Sequence, residues 1–144
     1  MQSVRRVLRV LAALASALCL GATGAQAQDA TTTVVQAAAR DWLAQADKGD
    51  TTATYDAAGE QFRAAMTRVG WSEALASVRK PLGAVQRRTM AATTFRTSAP
   101  GAPAADFALV RFRTEFAQKA DARETVTLQR EADGRWRVVG YKLQ

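Results

Sequence analysis

The sequence predicts an α+β domain in which three N-terminal helices pack on one face of a curved antiparallel sheet of about four strands. Three observations lead to this fold class. Apolar residues recur first at the spacing of helices and then, after Gly83, at the two-residue spacing of strands. The loops between the strand segments are short, and short turns join antiparallel strands, because parallel strands need a long crossover. Helices grouped ahead of such strands are typical of α+β domains.

Three helical segments come first. The first is predicted from a threonine cap near Thr31 to Gly49, because the apolar residues of TTTVVQAAARDWLAQADKG fall on one helical stripe. The second covers residues 52–70, with Gly70 as its stop. The third, WSEALASVRKPLG, is predicted to begin at Ser72 as N-cap and to end at its proline and glycine.

Four strand segments follow the helices. The clearest, DFALVRFRTEF, places Val110 and Phe112 on one face and its arginines on the other. The loop APGAPAAD precedes it, and Asp133 and Gly134 supply a tight hairpin turn before the last strand. In that strand Trp136 and Val138 are expected to face the helices. The predicted strands lie within residues 84–98, 106–116, 123–131 and 135–144.

The first 27 residues are predicted to be a secretory signal peptide. Three arginines precede an apolar run that is too short to span a bilayer, and an A-x-A pattern places cleavage before Gln28. The chain is therefore expected to be exported, to the periplasm or beyond the cell, with no membrane span after cleavage. Residues 28–33 are interpreted as a short lead and residues 34–144 as a single domain.

The composition restricts the chemistry. The sequence contains no histidine, and its one cysteine, Cys19, lies in the predicted leader. The mature chain thus lacks imidazole and thiolate nucleophiles and the usual zinc, copper and haem ligands, so no cofactor and no metal site are predicted. The formal net charge is +7, and three of these charges are leader arginines. The modest remaining excess does not predict nucleic-acid binding.

Several short blocks carry a resemblance to a known family. After Trp71 the chain reads, in order, VRKPLGAVQRR, TSAPGAP, VRFRTEFAQKA, ETVT and DGRWRVVGY. In the identity and order of these blocks, residues 35–144 resemble the secreted bacterial domain-of-unknown-function family numbered 4019, within the nuclear-transport-factor-2-like superfamily. The resemblance implies a cone-shaped roll of helices on a curved sheet, and it implies no reaction. The wider superfamily includes ketosteroid isomerases and polyketide cyclases, which use the space between helices and sheet as an active site.

The candidate pocket lies between the predicted helices and sheet. Asp56, beside Tyr55, could act as a general base if an apolar environment raised its pKa. The alternative places Asp56 in water near a helix N-terminus, where negative charge is favourable. Arg79 and Glu124 are both expected to face inward, either as a bidentate ion pair or with Arg79 gripping an anionic ligand. Trp42 belongs to the pocket or, more simply, to the core.

A second candidate site is the outer face of the sheet, where arginines alternate with apolar residues. This face could form a homodimer or bind an acidic envelope polymer. The alternative is a solvated face whose arginines pair with Glu115 and Glu131. The predicted partner face consists of Arg111, Arg113, Arg135, Arg137 and Tyr141.

These observations lead to two hypotheses. The first is an exported, non-catalytic binding or interaction module of the bacterial envelope. The second is a cofactor-free acid–base enzyme, of isomerase or cyclase type, that acts on a small hydrophobic substrate between helices and sheet. A carboxylate that opens into an apolar cavity would favour the enzyme, and an Asp56 in water would count against it.

Overall fold

The computed structural model describes residues 22–98, 101 and 103–144 of the chain. Most of the predicted signal peptide lies outside these residues, as do residues 99, 100 and 102 of the predicted proline and glycine loop. The chain divides into two units at the boundary between Thr33 and Val34. The second unit contains the sheet and the core. No helix in the described part of the chain combines the length and apolarity that a membrane span needs.

The described residues form four α-helices, one more than predicted, and the chain continues from the last into a short 3₁₀ turn. These helices are α1 (Ala22–Asp47), α2 (Thr51–Asp56), α3 (Glu60–Ala65) and α4 (Arg68–Arg79), followed by the 3₁₀ turn Lys80–Leu82. The stop after Pro81 is confirmed, because Gly83 has a φ of 72° that other residues rarely adopt. Two of the three predicted helix starts are wrong, and so is the predicted stop at Gly70, which lies inside α4. Threonines 31–33 lie inside α1 and donate to carbonyl oxygens four residues earlier, and Thr67, not Ser72, caps α4.

The second predicted helix is broken into α2 and α3 by a contact with the sheet. Ala58 forms a parallel bridge with Val138, and the Gly59 amide donates to the Val138 carbonyl oxygen at 2.7 Å. A side chain at Gly59 would place its Cβ 2.8 Å from Val139 Cγ1. The absence of a side chain thus permits the backbone to approach the last strand, and the tertiary contact overrides the continuous helical pattern.

Four antiparallel strands form one sheet in the order β1-β2-β3-β4, as the alternation predicted. Its inner face carries the buried residues of β2 and β3, such as Val110 opposite Val126, and the helices cover this face. The strands are β1 (Val85–Thr97), β2 (Asp106–Phe116), β3 (Lys119–Arg130) and β4 (Trp136–Leu143).

Aromatic side chains fill much of the space between helices and sheet. Trp42 and Trp71 are almost fully buried, with ring centroids 5.8 Å apart. Both indole N–H groups donate to Thr54 at 2.9 Å, Trp42 to its carbonyl oxygen and Trp71 to its hydroxyl. Phe62 packs edge-on against Trp71 at 5.0 Å. Trp42 is therefore a core residue, and its buried N–H group has the partner that such a group requires.

Candidate functional site

Charged and polar side chains meet at the inner face of the sheet, beside the aromatic core. They come from the last residues of α1 and α4 and from the inward-facing positions of all four strands. We call this set the inner cluster: Asp47, Arg79, Arg88, Thr114, Glu124 and Tyr141.

Glu124 is the centre of the inner cluster and is 0% exposed. Its Oε2 accepts from Arg88 Nε at 2.7 Å and from the Thr114 hydroxyl at 2.5 Å. Its Oε1 accepts from the Tyr141 hydroxyl at 2.6 Å. Each oxygen of the buried carboxylate thus accepts at least one hydrogen bond from the protein's own side chains.

The expectation that Arg79 and Glu124 face inward is confirmed, but their bidentate pair is not formed. Arg79 Nη1 lies 3.8 Å from Glu124 Oε1, which is too long for a hydrogen bond, and Arg79 Nη2 donates instead to Asp47. Arg88, which sequence reasoning missed, bonds Glu124 and also donates to both Asp47 oxygens at 2.7 and 2.9 Å. Burial alone would raise the pKa of Asp47, but the two guanidinium groups together hold it below its usual value.

The placement of Tyr141 on the outer face is wrong. Val126 pairs with Tyr141 but Leu128 pairs with Val138, so β4 contains one extra residue between these pairs. Such a bulge reverses which side chains face inward beyond it, and Tyr141 turns towards Trp42, with ring centroids 5.3 Å apart. Burial, together with the nearby Glu124 carboxylate, raises the pKa of the Tyr141 phenol.

The residues proposed for acid–base catalysis do not lie in an apolar cavity. The Asp56 side chain is 55% exposed and pairs with Arg68 at 2.6 Å. The hydrogen bond from Arg68 holds the pKa of Asp56 below its usual value, opposite to the rise that a general base needs. The Tyr55 hydroxyl donates to the Met66 carbonyl oxygen at 2.9 Å. The apolar environment and the raised pKa on which the Asp56 hypothesis depends are therefore not found.

The outer face of the sheet carries a group of exposed cations on three neighbouring strands. Arg113 on β2 lies directly opposite Arg123 on β3. One register row away, Thr125 stands between Arg111 on β2 and Lys142 on β4. None of these four cations forms a salt bridge with any described residue. We call them the basic patch: Arg111, Arg113, Arg123 and Lys142.

The four arginines of the predicted partner face thus fall into three groups. Arg111 and Arg113 belong to the basic patch, and Glu115 does not neutralise them because it pairs with Arg87 at 2.6 Å. Arg137 is held by Glu131 at 2.6 Å and by Asp133 at 2.7 Å, and Arg135 is exposed beside the hairpin turn. Arg123 and Lys142 were missed. The alternation of β3 could have identified Arg123. The outward orientation of Lys142 could not be predicted in this way, because it depends on the bulge in β4.

Two hollows adjoin these groups. One, of about 400 Å³, adjoins Arg113 and Arg123 and also has Glu115 and Asp121 among its lining residues. The other, a cleft of about 380 Å³, reaches the inner cluster from the surface between α1 and the sheet. Within the described ranges, no group of three or more acidic, histidine or cysteine side chains is arranged to hold a metal ion.

Comparison with known proteins identifies one family and a shared fold. The family described as "Protein of unknown function (DUF4019)" matches residues 38–141. A solved structure from Catenulispora acidiphila is 18% identical, with a TM-score of 0.55 over 83% of this chain and 94% of that chain. ActVI-ORFA from Streptomyces coelicolor is 16% identical, with a TM-score of 0.50 over 80% of this chain and 96% of that chain. No curated protein matches the sequence. At these identities the two structures share only the fold.

Proposed function

Because the chain belongs to the DUF4019 family, whose function is unknown, we propose its function from its own surfaces: it is a non-catalytic binding module for an anionic partner. The observation that carries the proposal is the basic patch. We place the module in the bacterial envelope because the first 27 residues have the pattern of a signal peptide.

The electrostatics of the basic patch support an anionic partner. Like charges directly opposite each other on neighbouring strands are destabilising, and Arg113 faces Arg123 in this way. An anion that bridges the two guanidinium groups would relieve this repulsion. Guanidinium groups also bind carboxylate, sulfate or phosphate oxygens through two parallel hydrogen bonds. Glu115 and Asp121 adjoin the patch, so the partner is expected to contact the Arg111 and Lys142 row as well.

A homodimer through the same face is the weaker alternative. A two-fold interface brings the same surface of both copies together. The basic patch would then face its own copy, and juxtaposed like charges oppose association. The inner cluster offers no competing catalytic site of the kind first considered, because Glu124 is fully buried and already accepts three hydrogen bonds.

The test is retention of the full-length gene product on immobilised heparin, a sulfated polysaccharide used as the probe. The variant Arg113→Gln with Arg123→Gln removes two patch charges. The control, Lys48→Gln with Lys80→Gln, removes the same charge from two exposed lysines outside the patch. We expect the patch variant to elute at clearly lower salt than the wild type, and the control to elute close to it. Equal losses in both variants would overturn the proposal, because they would reflect net charge alone.

Two further measurements address the rest of the proposal. Native mass spectrometry of the purified protein tests the homodimer, and a dimer that the Arg113 and Arg123 substitutions strengthen would favour self-association over an anionic partner. Intact mass of the protein recovered from the producing cells tests the leader. An N-terminus at Gln28 is expected, and an intact N-terminus would remove the argument for export.

A further inference from the structure

The cleft beside the inner cluster has an apolar floor and a charged end. Met90 and the almost fully buried Phe112 supply the floor, and Ala44 of α1 supplies one side. Asp47 and Arg88 close the end where the cleft meets the inner cluster. Its volume of about 380 Å³ falls within the range of small-molecule sites, about 300–1,000 Å³.

Arg40 gives this cleft a cation that the protein does not neutralise. Its Nη2 lies 4.0 Å from the Met90 sulfur atom, so its guanidinium group is held beside the apolar floor. No salt bridge to Arg40 is formed by any described residue. Arg40 therefore differs from Arg88, which shares the cleft but donates to two carboxylates.

The charges around the cleft leave an excess of one positive charge. Arg40 and Arg88 are the cations that line it, and Asp47 is the only acidic residue among the lining side chains. Immediately behind them, Arg79 and Glu124 carry opposite charges and cancel. An apolar floor combined with one excess cation complements a ligand that has an apolar body and a single negative charge.

From this geometry we infer that the cleft is a binding site for a small amphipathic carboxylate. The apolar chain lies on Met90, Phe112 and Ala44, and the carboxylate accepts hydrogen bonds from Arg40. The site is separate from the basic patch, which lies on the opposite face of the sheet, and the inference does not depend on the function proposed for that patch.

The binding test uses octanoate as the probe, with isothermal titration calorimetry of the full-length gene product. Octan-1-ol and octylamine have the same chain without the negative charge. We expect saturable binding of octanoate, with the alcohol at least about tenfold weaker because it lacks the charge-assisted hydrogen bonds. Absence of saturable octanoate binding would overturn the inference, and so would an equal affinity for octylamine.

Two substitutions locate the bound probe. Ala44→Phe fills the side of the cleft from an exposed helix position, and Ala37→Phe makes the same change two turns earlier on α1, outside the cleft. We expect Ala44→Phe to abolish octanoate binding and Ala37→Phe to preserve it. Arg40→Gln is expected to weaken octanoate about tenfold and to leave the affinity for the alcohol unchanged. Equal effects of the two phenylalanine variants on the affinity for octanoate would place the probe outside the cleft and contradict the proposed site.

Heparin retention of the same variants separates this inference from the proposed function. Ala44→Phe changes no charge and lies away from the basic patch, so its elution from heparin is expected to match that of the wild type. Circular dichroism of each variant verifies that the fold is intact before the affinities are compared. Loss of octanoate binding with unchanged heparin retention supports two separate sites, whereas loss of both in a folded Ala44→Phe variant would contradict their independence.

Discussion

The inner cluster and the basic patch place the same kind of cation on opposite faces of one sheet, and they differ in what neutralises it. Arg79 and Arg88 are largely buried, with side chains 10% and 15% exposed, and they share two carboxylates, Asp47 and Glu124. The four cations of the basic patch are exposed and form no salt bridge with a described residue. A buried charge is tolerated only when it is paired, whereas water solvates an unpaired surface charge at little cost.

This difference assigns different roles to the two regions. The inner cluster joins the ends of α1 and α4 to all four strands, so its charges stabilise one particular packing of helices on the sheet. The cations of the basic patch form no salt bridge with a described residue, so their charges remain available to a partner.

The largest effect is expected from Glu124→Ala. The substitution removes the fully buried carboxylate and its bonds to Arg88, Thr114 and Tyr141, and breaking one side of a buried pair typically costs about 3–5 kcal/mol of folding free energy. Urea unfolding followed by tryptophan fluorescence measures the loss. The matched control is Glu115→Ala, whose exposed pair with Arg87 should contribute less than about 1 kcal/mol. Similar losses in the two variants would contradict the distinction between buried and exposed pairs.

A smaller loss of folding stability is expected when the pH is lowered. The pKa of Asp47 is lowered in the folded protein from its usual 3.8, so the folded state favours the ionised carboxylate. Its contribution is fully present above the unfolded pKa and is lost as the pH falls through the folded pKa. Unfolding free energy measured from pH 6 down to pH 2 should therefore fall more steeply in the wild type than in Asp47→Asn. Parallel pH profiles would contradict the role assigned to this carboxylate.

The smallest effect on stability is expected from Arg123→Glu in the basic patch. The new carboxylate would lie opposite Arg113, and replacing a like-charge pair by an opposite-charge pair should stabilise the fold by about 0.2–1 kcal/mol. Heparin retention should fall at the same time. Thermal unfolding and salt elution measure the two quantities, and Arg123→Gln separates the loss of charge from the new pair. A variant that is less stable than the wild type would show that the repulsion is not relieved in this way.

Sequence reasoning succeeded where the side-chain period was uninterrupted. The alternation in β2 and β3 placed Val110, Phe112 and Val126 on the inner face correctly, because these two strands pair with each other without a register shift from Phe107 to Thr114. The extra residues of the neighbouring pairings lie on β1 and β4. It also placed Arg79 and Glu124 on the inside. It did not identify Arg88, because register shifts near both ends of residues 85–92 interrupt the pattern on β1.

The errors share a physical cause. Residues 52–70 carry a helical stripe, but Ala58 and Gly59 leave the helix to pair with Val138 at the edge of the sheet. The alternation of β4 predicts that Tyr141 faces outward, but one extra residue between Val138 and Tyr141 turns its side chain inward. Neither a strand edge contact nor a bulge leaves a reliable local signal, because both depend on residues that are distant in sequence.

By itself, the sequence determined the α+β class, the antiparallel sheet, the inner apolar rows and the exclusion of imidazole chemistry. These features follow from side-chain type and local period, which each segment carries alone. Only the tertiary structure decided that Arg88, Asp47 and Tyr141 gather around Glu124, and that Arg123 and Lys142 join Arg111 and Arg113. Strand register and bulges set those neighbours, and they result from the packing of the whole chain.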